Sequence, residues 1–323
     1  MNALITGITG FAGGFLAEHL LAVGDRVLGI SRSGQWTADS SPMATRDIEL
    51  VAWDTATQCE PLPDVAARIS DFAPDAIYHL AAISVPADCG GDQPTEAALQ
   101  ANVAGTRHVL ELAGRLPSRP RVLVVSTSHV YASAADNRPL AEDSPLGPTR
   151  AYGMTKLAAE QEAIAAARSG VDVVIARAFQ HTGPRQAARM MLPEWSEQFA
   201  DPERRPVKVL RLNAFIDLSD VRDVVQAYRL LLAHGRSAGV YNVGSGRQLR
   251  SGDVLAELAR IADPARTIIE IDPSPKQDPI ANIEQLTAAT GWRAQIPWQQ
   301  TVADTYAYWR DKYAHGEAAR RPN

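Results

Sequence analysis

The 323-residue chain is poor in cysteine, in excess positive charge and in long apolar runs. Its only cysteines, Cys59 and Cys89, are too few for a disulfide framework or a thiolate zinc site, and no metal site is predicted. The net charge of -5 offers no basic field to nucleic acid. No apolar run reaches the roughly 18 residues of a membrane span, and the start of the chain lacks the pattern of a signal peptide. These absences favour a cytoplasmic protein that acts on small molecules.

A glycine-spaced turn stands between an apolar strand-like run, residues 3–5, and an apolar-periodic helix. Gly7 permits a sharp exit from the strand, Gly10 allows close approach of a pyrophosphate, and Gly13 lets the helix lie on the sheet. The N–H groups and positive dipole end of that helix then face the anion. The predicted dinucleotide site comprises Gly7, Thr9, Gly10, Phe11, Ala12 and Gly13.

Strand-like and helix-like segments alternate from the N-terminus to about residue 178, which predicts a doubly wound α/β fold with a parallel sheet. Ligands of such sheets bind at the C-terminal ends of the strands. Thr127 and Ser128 lie at the end of the predicted fifth strand, where their hydroxyls could reach a substrate. The predicted fourth strand runs into small residues, which would let the backbone lie close to a ligand. The latter stretch includes Leu80, Ala81, Ala82 and Ser84.

The second strand ends at Ser31 and Arg32 without the acidic residue that would bind the ribose 2′-hydroxyl of NAD(H). Arg32 could instead pair with a 2′-phosphate and stack on adenine, which favours NADP(H) over NAD(H). The alternative is a solvated surface arginine.

Tyr152 and Lys156 are spaced to share one face of a predicted helix. An ammonium and a cationic nicotinamide beside a phenol favour phenolate and should together lower the pKa of Tyr152, which could then exchange a proton with a carbonyl oxygen. Tyr308 and Lys312 repeat the spacing, but no hydroxyl-bearing strand end precedes them. The second pair is therefore assigned to an ordinary terminal helix, and Tyr308→Phe is expected to be nearly silent.

The glycine spacing and the Tyr/Lys pair resemble the extended branch of the short-chain dehydrogenase/reductases, the NAD-dependent epimerase/dehydratase family. Residues 177–184, 217–223, 241–246, 271–274 and 290–292 extend the resemblance over about residues 2–312, most closely to the reductases of GDP-4-keto-6-deoxy-mannose. The resemblance implies that Thr127, Tyr152 and Lys156 are catalytic. It also implies cofactor contacts at Asp54, Asn102, Phe179 and His181, and a homodimer that pairs helices 93–115 and 151–168 as a four-helix bundle.

Three departures from those reductases fall on the predicted substrate side. Gln180 replaces an asparagine, Ile216 replaces a diphosphate-binding arginine, and residues 275–278 replace an arginine-rich segment. His129 stands where related 4,6-dehydratases carry glutamate, so reduction or epimerisation is favoured over dehydration. The candidate substrate residues are Ser84, Ser128, His129, Gln180, Arg185, Arg211 and Lys276.

The predicted nucleotide domain takes residues 1–178 and a returning segment, 213–236; the substrate domain takes the rest of 179–314, and residues 315–323 form a disordered tail. The favoured activity is NADP(H)-dependent reduction of a 4-keto-6-deoxy sugar nucleotide. The alternatives are an epimerase or a 4,6-dehydratase of the same family and a non-catalytic redox sensor that uses the fold only to bind the nucleotide.

Overall fold

The computed structural model describes residues 1–133 and 138–316. In chain order its strands are β1 (Asn2–Thr6), β2 (Arg26–Ser31), β3 (Glu49–Ala52), β4 (Ala76–His79), β5 (Arg121–Thr127), β6 (Val173–Ala178), β7 (Gln180–Thr182), β8 (Val207–Val209), β9 (Ala214–Ile216), β10 (Leu218–Asp220), β11 (Val240–Val243), β12 (Leu249–Arg250), β13 (Ile268–Glu270) and β14 (Lys276–Gln277).

The helices are α1 (Phe11–Ala22), α2 (Pro42–Asp47), α3 (Pro63–Phe72), α4 (Glu96–Leu99), α5 (Gly105–Arg115), α6 (Ala151–Arg168), α7 (Met191–Ala200), α8 (Val221–His234), α9 (Ser251–Ala262), α10 (Glu284–Thr290) and α11 (Trp298–Ala314). A π-helical turn, Gln100–Ala104, joins α4 to α5. None of the described helices is long and apolar enough to cross a membrane.

Seven parallel strands form the central sheet in the spatial order β3-β2-β1-β4-β5-β6-β11. Side chains alternate between its faces because successive strand residues point to opposite sides. In β1, Ile5 packs with α1 and α8, whereas Leu4 packs with α3 and α5 on the other face. The predicted doubly wound α/β fold is confirmed. The order reverses between β1 and β4, so a crevice opens beside the glycine turn.

A smaller unit lies beyond this sheet. It contains the parallel pair β8-β13, the three-stranded sheet β12-β9-β14, and the helices α7, α9 and α11. Their shared core includes Leu192, Trp195, Leu255 and Val302. Between the two units, β7 pairs with β10.

Two strands lie in a different unit from the one in which the predicted domain bounds place them. Strand β11, predicted on the substrate side, is an edge strand of the central sheet, because Val240–Val243 pairs with β6. Strand β9, predicted within the returning nucleotide segment, pairs with β12 and β14 of the small sheet. Residues 317–323 of the predicted tail lie outside the described residues.

Candidate active site

The glycine turn joins β1 to α1. Gly7 has a φ of +71°, and a Cβ atom there would lie 2.6 Å from the backbone nitrogen of Ala81. A Cβ on Gly13 would lie 2.2 Å from the carbonyl oxygen of Gly7. Gly10, the N-cap of α1, supplies no side-chain hydrogen bond, and the first turn holds no acidic residue. The helix end is therefore open to an anion, and these residues fit the pyrophosphate of a dinucleotide.

A buried hydrogen-bond chain fixes the loop after β4 against this turn. The backbone N–H of Ala81 lies 3.3 Å from the Thr6 hydroxyl, which lies 2.8 Å from Nδ1 of His79. Nε2 of His79 is 2.9 Å from the Thr106 hydroxyl, which donates to the carbonyl of Asn102. Since the Thr106 proton is used, Nε2 carries the imidazole proton and Nδ1 accepts. Burial lowers the pKa of His79 to about 3, so the ring is neutral.

Asn102 was predicted as a cofactor residue that also fixes the neighbouring strand and loop, and its side chain is fully buried and bonded to the chain. Its Oδ1 accepts from Ile83 at 2.7 Å, and its Nδ2 donates to the Ile83 carbonyl and to the Thr155 hydroxyl. Asn102 therefore positions the loop that contains Leu80, Ala81 and Ala82 relative to α6. Ser84, a predicted substrate residue, is exposed on the same loop.

The candidate acid and its partners meet at the end of β5. Thr127 is the last residue of β5, and Tyr152 and Lys156 lie one turn apart on α6. The Thr127 side chain acts on the phenol of Tyr152 and favours its ionised form, so the two side chains are neighbours. A Cβ on Gly153 would lie 2.2 Å from the carbonyl of His129, so the glycine after Tyr152 permits α6 to approach the end of β5. The structure thus brings the three predicted catalytic residues together.

The lowering of the Tyr152 pKa is predicted for the protein with an oxidised nicotinamide bound, and the chain alone shows the opposite direction. Burial raises the pKa of Tyr152 to about 12, although the contact with Thr127 acts in the opposite direction. Burial also lowers the pKa of Lys156 to about 8. Desolvation disfavours every charged form, and it outweighs the attraction expected between a phenolate and an ammonium. Tyr152 consequently holds its proton at neutral pH.

A buried ion pair lies one helical turn beyond Lys156. Glu160 accepts from Arg177 of β6 at 2.8 Å and from the Ser126 hydroxyl at 2.5 Å. The negative charge of Glu160 favours the protonated form of Lys156. Sequence reasoning missed Glu160, although its spacing from Tyr152 and Lys156 places it on the same helix face.

The adenosine side of the predicted cofactor site lies beyond β2 and β3. Arg32 follows buried Ser31 and is exposed. Asp54, predicted beside the adenine, accepts from the backbone N–H of Ala56 at 3.1 Å and from the Thr57 hydroxyl at 3.0 Å, so its carboxylate already closes a local turn. A cavity of about 230 Å³ lies beside the glycine turn. It is lined by Ile8, Thr9, Gly10, Phe11, Gly14, Trp36, Thr37, Asp39, Ser40, Ser41, Ala44 and Arg185.

Two predicted cofactor residues follow β6. The ring of His181 stacks on Phe11 with centroids 6.1 Å apart and planes at 8°. Its Nδ1 donates to the carbonyl of Phe179 at 3.0 Å, since a carbonyl can only accept. Phe179 is buried. His181 thus links the segment after β6 to the glycine turn, while Phe179 packs behind it.

The predicted substrate side contains a cluster that joins two of the three departures. Gln180 donates to Asp278 at 2.8 Å, and Lys276 pairs with the same carboxylate at 2.8 Å. The His129 residue is exposed overall, but its imidazole is partly desolvated by the surrounding chain and packs edge-on to Tyr152, with ring centroids 5.5 Å apart. Burial lowers the pKa of His129, Asp278 raises it, and Lys276 lowers it. Asp278 was not predicted as a site residue, because its contact with Gln180 spans 98 positions of the chain.

Other predicted substrate residues lie away from this cluster or are buried. Arg185 pairs with Glu18 at 2.6 Å and lies 4.0 Å above the ring of Phe15, on the cofactor side. Arg211 pairs with Asp272 near the small sheet. Ser128 is buried at the start of a 3₁₀ turn. Arg185 is thus placed beside the glycine turn rather than beside Gln180.

Ile216, the third departure, is 2% exposed. It packs with Leu192, Leu218 and Leu255 in the core of the smaller unit. Ile216, at the position where an arginine was predicted to be lost, therefore lies in apolar surroundings.

Comparison with known proteins agrees with this geometry. A family model described as the NAD dependent epimerase/dehydratase family matches residues 3–244. GDP-6-deoxy-D-mannose reductase of Pseudomonas aeruginosa is 28% identical over 77% of this chain and 85% of its own length. A probable dTDP-glucose 4,6-dehydratase of Sinorhizobium fredii is 26% identical over 98% of both chains.

Among solved structures, RMD from Pseudomonas aeruginosa, complexed with NADPH, superposes with a TM-score of 0.79. Its sequence is 24% identical, and the match covers 97% of this chain and 100% of that one. The sheet order, the open glycine turn and the family match over most of the chain lead to one conclusion. The chain belongs to the NAD dependent epimerase/dehydratase family.

Proposed function

We propose that the protein reduces a 4-keto-6-deoxy sugar nucleotide, similar to GDP-4-dehydro-6-deoxy-mannose, with Tyr152 as the proton donor. The observation that carries this proposal is the position of Tyr152 beside the end of β5, where Thr127 lies, with Lys156 one turn further along α6. The phenol can supply the proton that a carbonyl oxygen takes up on reduction, and burial raises its pKa to about 12. The 28% identity to a GDP-6-deoxy-D-mannose reductase supports the same direction of reaction.

The roles of the other residues follow from their positions. Thr127 would donate a hydrogen bond to the reacting carbonyl oxygen and hold it near the phenol of Tyr152. Lys156 would bind hydroxyl groups of the nicotinamide ribose, and its ammonium would favour the phenolate left after proton transfer. When bound, the nicotinamide supplies the hydride.

His129 supports reduction over dehydration. The related 4,6-dehydratases carry glutamate at this position for proton transfer at neighbouring carbons, whereas His129 here has a pKa lowered by burial. A neutral imidazole beside Tyr152 is suited to hydrogen-bond a sugar hydroxyl.

NADP(H) is the proposed cofactor because Arg32 is exposed directly after β2 and the strand end carries no carboxylate. A guanidinium pairs well with a 2′-phosphate.

Each of the four basic residues that could bind an anionic substrate is ion-paired with a carboxylate. The pairs are Arg185 with Glu18, Arg189 with Asp88, Arg211 with Asp272, and Lys276 with Asp278. A substrate diphosphate would bind by exchanging with one of these carboxylates. Lys276 is the proposed partner, since it and Asp278 both act on His129.

A homodimer is also proposed. Leu99 of α4 and Ile164 of α6 are 38% and 36% exposed on the helices that a four-helix bundle would pair. Sedimentation of the protein should give twice the mass of one chain.

The test is a panel of 4-keto sugar nucleotides incubated with the protein and NADPH. A reductase consumes the reduced cofactor in proportion to product, and the loss of its absorbance measures this directly. Product formed without net loss of NADPH would identify an epimerase and overturn the proposal.

A further inference from the structure

The terminal helix α11 contacts the turn between β2 and α2. Asp39, at the tip of this turn, accepts from Lys312 at 2.8 Å and from the Tyr308 hydroxyl at 3.1 Å. Nζ of Lys312 also lies 3.3 Å from the Tyr308 hydroxyl. The pair assigned by sequence to an ordinary terminal helix is therefore joined to a segment 269 positions earlier.

Helix α11 is fixed to the smaller unit, so its side chains reach Asp39 from a rigid element. Val302 and Trp309 are buried, and the Thr301 hydroxyl donates to Asp220 at 2.8 Å. Lys312 lies 5.5 Å from the ring centroids of both Tyr308 and Trp309, and its side chain is only 20% exposed. Two aromatic rings therefore help to position the ammonium that donates to Asp39.

The turn that carries Asp39 forms one wall of the cavity beside the glycine turn. Thr37 and Ser40 hydrogen-bond each other across the turn, at 3.0 Å between their hydroxyl oxygens, and both line the cavity with Asp39. Gly10 and Phe11 of the glycine turn line the same cavity. A contact that fixes Asp39 therefore fixes one wall of the groove in which a dinucleotide would lie.

A second link from the chain after β7 reaches the same cavity. Arg185 lines it while paired to Glu18 of α1. The cavity is consequently bordered on two sides by ion pairs that connect segments distant in sequence. Hydrogen bonding from Lys312 lowers the pKa of Asp39, so its carboxylate is charged at neutral pH.

We propose that Tyr308 and Lys312 are positioning residues that hold the Thr37–Ser40 turn against the cofactor groove and slow the release of the dinucleotide. We call the three side chains Asp39, Tyr308 and Lys312 the terminal latch. The proposal rests on the cofactor binding assumed in the proposed function. Release of the cofactor then requires the turn to move away from the groove or the latch to break.

The test compares Lys312→Met, Tyr308→Phe and Asp39→Asn with a matched control, Arg310→Met. Arg310 lies on the same helix, where it pairs with neighbouring Asp311, and both side chains are 58% exposed. Dissociation of NADPH is followed by stopped-flow fluorescence after a chase with excess NADP⁺. Lys312→Met and Asp39→Asn should release NADPH about 2- to 5-fold faster, the range for loss of a partly exposed ion pair, and Tyr308→Phe, which keeps that pair, should have a smaller effect in the same direction. Arg310→Met should match the wild type.

Two further measurements separate a latch from general stabilisation. Added salt should speed release more from the wild type than from Lys312→Met, because both retain the charged contacts to the cofactor and only the wild type retains the ion pair. In the protein without cofactor, backbone amides of residues 37–41 should exchange hydrogen faster in Lys312→Met than in Arg310→Met, with equal protection elsewhere.

Equal release rates and equal amide exchange in Lys312→Met and Arg310→Met, with both proteins folded, would overturn the proposal. Failure of the wild type to bind NADPH or NADH would instead overturn the proposed function. Amide exchange would in that case still decide whether Lys312 holds the turn.

Discussion

At the scale of single residues, burial sets the chemistry of the site more strongly than spacing does. Tyr152 and Lys156 share a helix face as predicted, yet both pKa values move towards the neutral form, to about 12 and about 8. The sequence shows which groups are neighbours, but it does not show how much water surrounds them. The predicted lowering of the Tyr152 pKa therefore depends on the charge of a bound nicotinamide, since the chain alone raises it.

Replacing Tyr152 with phenylalanine should preserve the fold and cofactor binding, because shape is retained, but remove the proton donor. The rate of the chemical step should fall about 10²- to 10⁴-fold. Single-turnover absorbance with bound NADPH measures it. Tyr308→Phe is the control, since it alters the terminal latch and leaves the end of β5 intact. Similar losses of the chemical rate in both variants would contradict the assignment.

Replacing Arg32 with alanine should weaken NADPH binding more than NADH binding, by about 1.5–3 kcal/mol if the charged hydrogen bonds to the 2′-phosphate form. Titration calorimetry with each cofactor gives the difference. Arg26→Ala is a matched control, because Arg26 lies at the opposite end of β2 over the ring of Phe72. Equal weakening of both cofactors would make Arg32 a solvated surface arginine.

Replacing Ile216 with arginine should destabilise the protein, since the guanidinium would enter the core formed with Leu192 and Leu255. An uncompensated buried charge costs about 3–5 kcal/mol, whereas Ile216→Val should cost about 0.5–1.5 kcal/mol. Urea unfolding of both variants checks the difference. Tighter binding of a GDP sugar without loss of stability would show instead that a diphosphate site had merely lost its arginine.

At the scale of elements, the glycine turn shows how closely β1, α1 and the loop after β4 approach one another. Gly13 and Gly14 are adjacent in α1 but meet different surroundings. A Cβ on Gly13 would lie 2.2 Å from the Gly7 carbonyl oxygen, whereas on Gly14 its nearest neighbour would be 3.9 Å away. Only the first glycine is required by packing.

Gly13→Ala should therefore lose stability and cofactor affinity together, because the turn must shift to admit the methyl group. Gly14→Ala should gain about 0.5–1 kcal/mol from the lower entropy of its unfolded chain. Thermal unfolding and cofactor titration of both proteins provide the measurement. If Gly13→Ala changed neither the stability nor the cofactor affinity, the turn would have more room than this packing indicates.

Most elements of the nucleotide-binding part could be predicted, because β1, β5 and β6 are continuous apolar runs and α6 has strong helix formers. The small sheets could not. Strands such as β12 and β14 have two residues each, and their pairing with β9 depends on contacts distant in sequence. The hydrogen bond between Gln180 and Asp278 could not be predicted either, because the two residues are distant in sequence. Each was recognised separately as part of a departure from the related reductases.

At the scale of the whole molecule, the buried His79 couples folding to pH. Its imidazole is neutral in the folded protein, with a pKa of about 3 against 6.5 when unperturbed. As pH falls below 6.5, the unfolded chain binds a proton that the folded protein excludes. Stability is therefore lost progressively between these two values, by at most about 1.4 kcal/mol per pH unit from this group.

Urea unfolding of the wild type and of His79→Gln at about pH 7 and about pH 5 tests this coupling. Glutamine cannot take up the proton, so the variant should lose less stability on acidification, even if it is less stable at neutral pH. Equal losses in the two proteins would show that His79 does not contribute to acid sensitivity.

The placement of β11 also has a consequence for synthesis of the chain. The outer edge of β6 is paired by β11, which leaves the ribosome after the intervening strands and helices of β7 to α8 have emerged. During that interval the nascent sheet presents unpaired backbone groups along an apolar strand, the type of edge that templates aggregation. A ribosome stalled before Val240 would leave this edge exposed, so chaperone engagement should be greatest on nascent chains that end between β6 and β11.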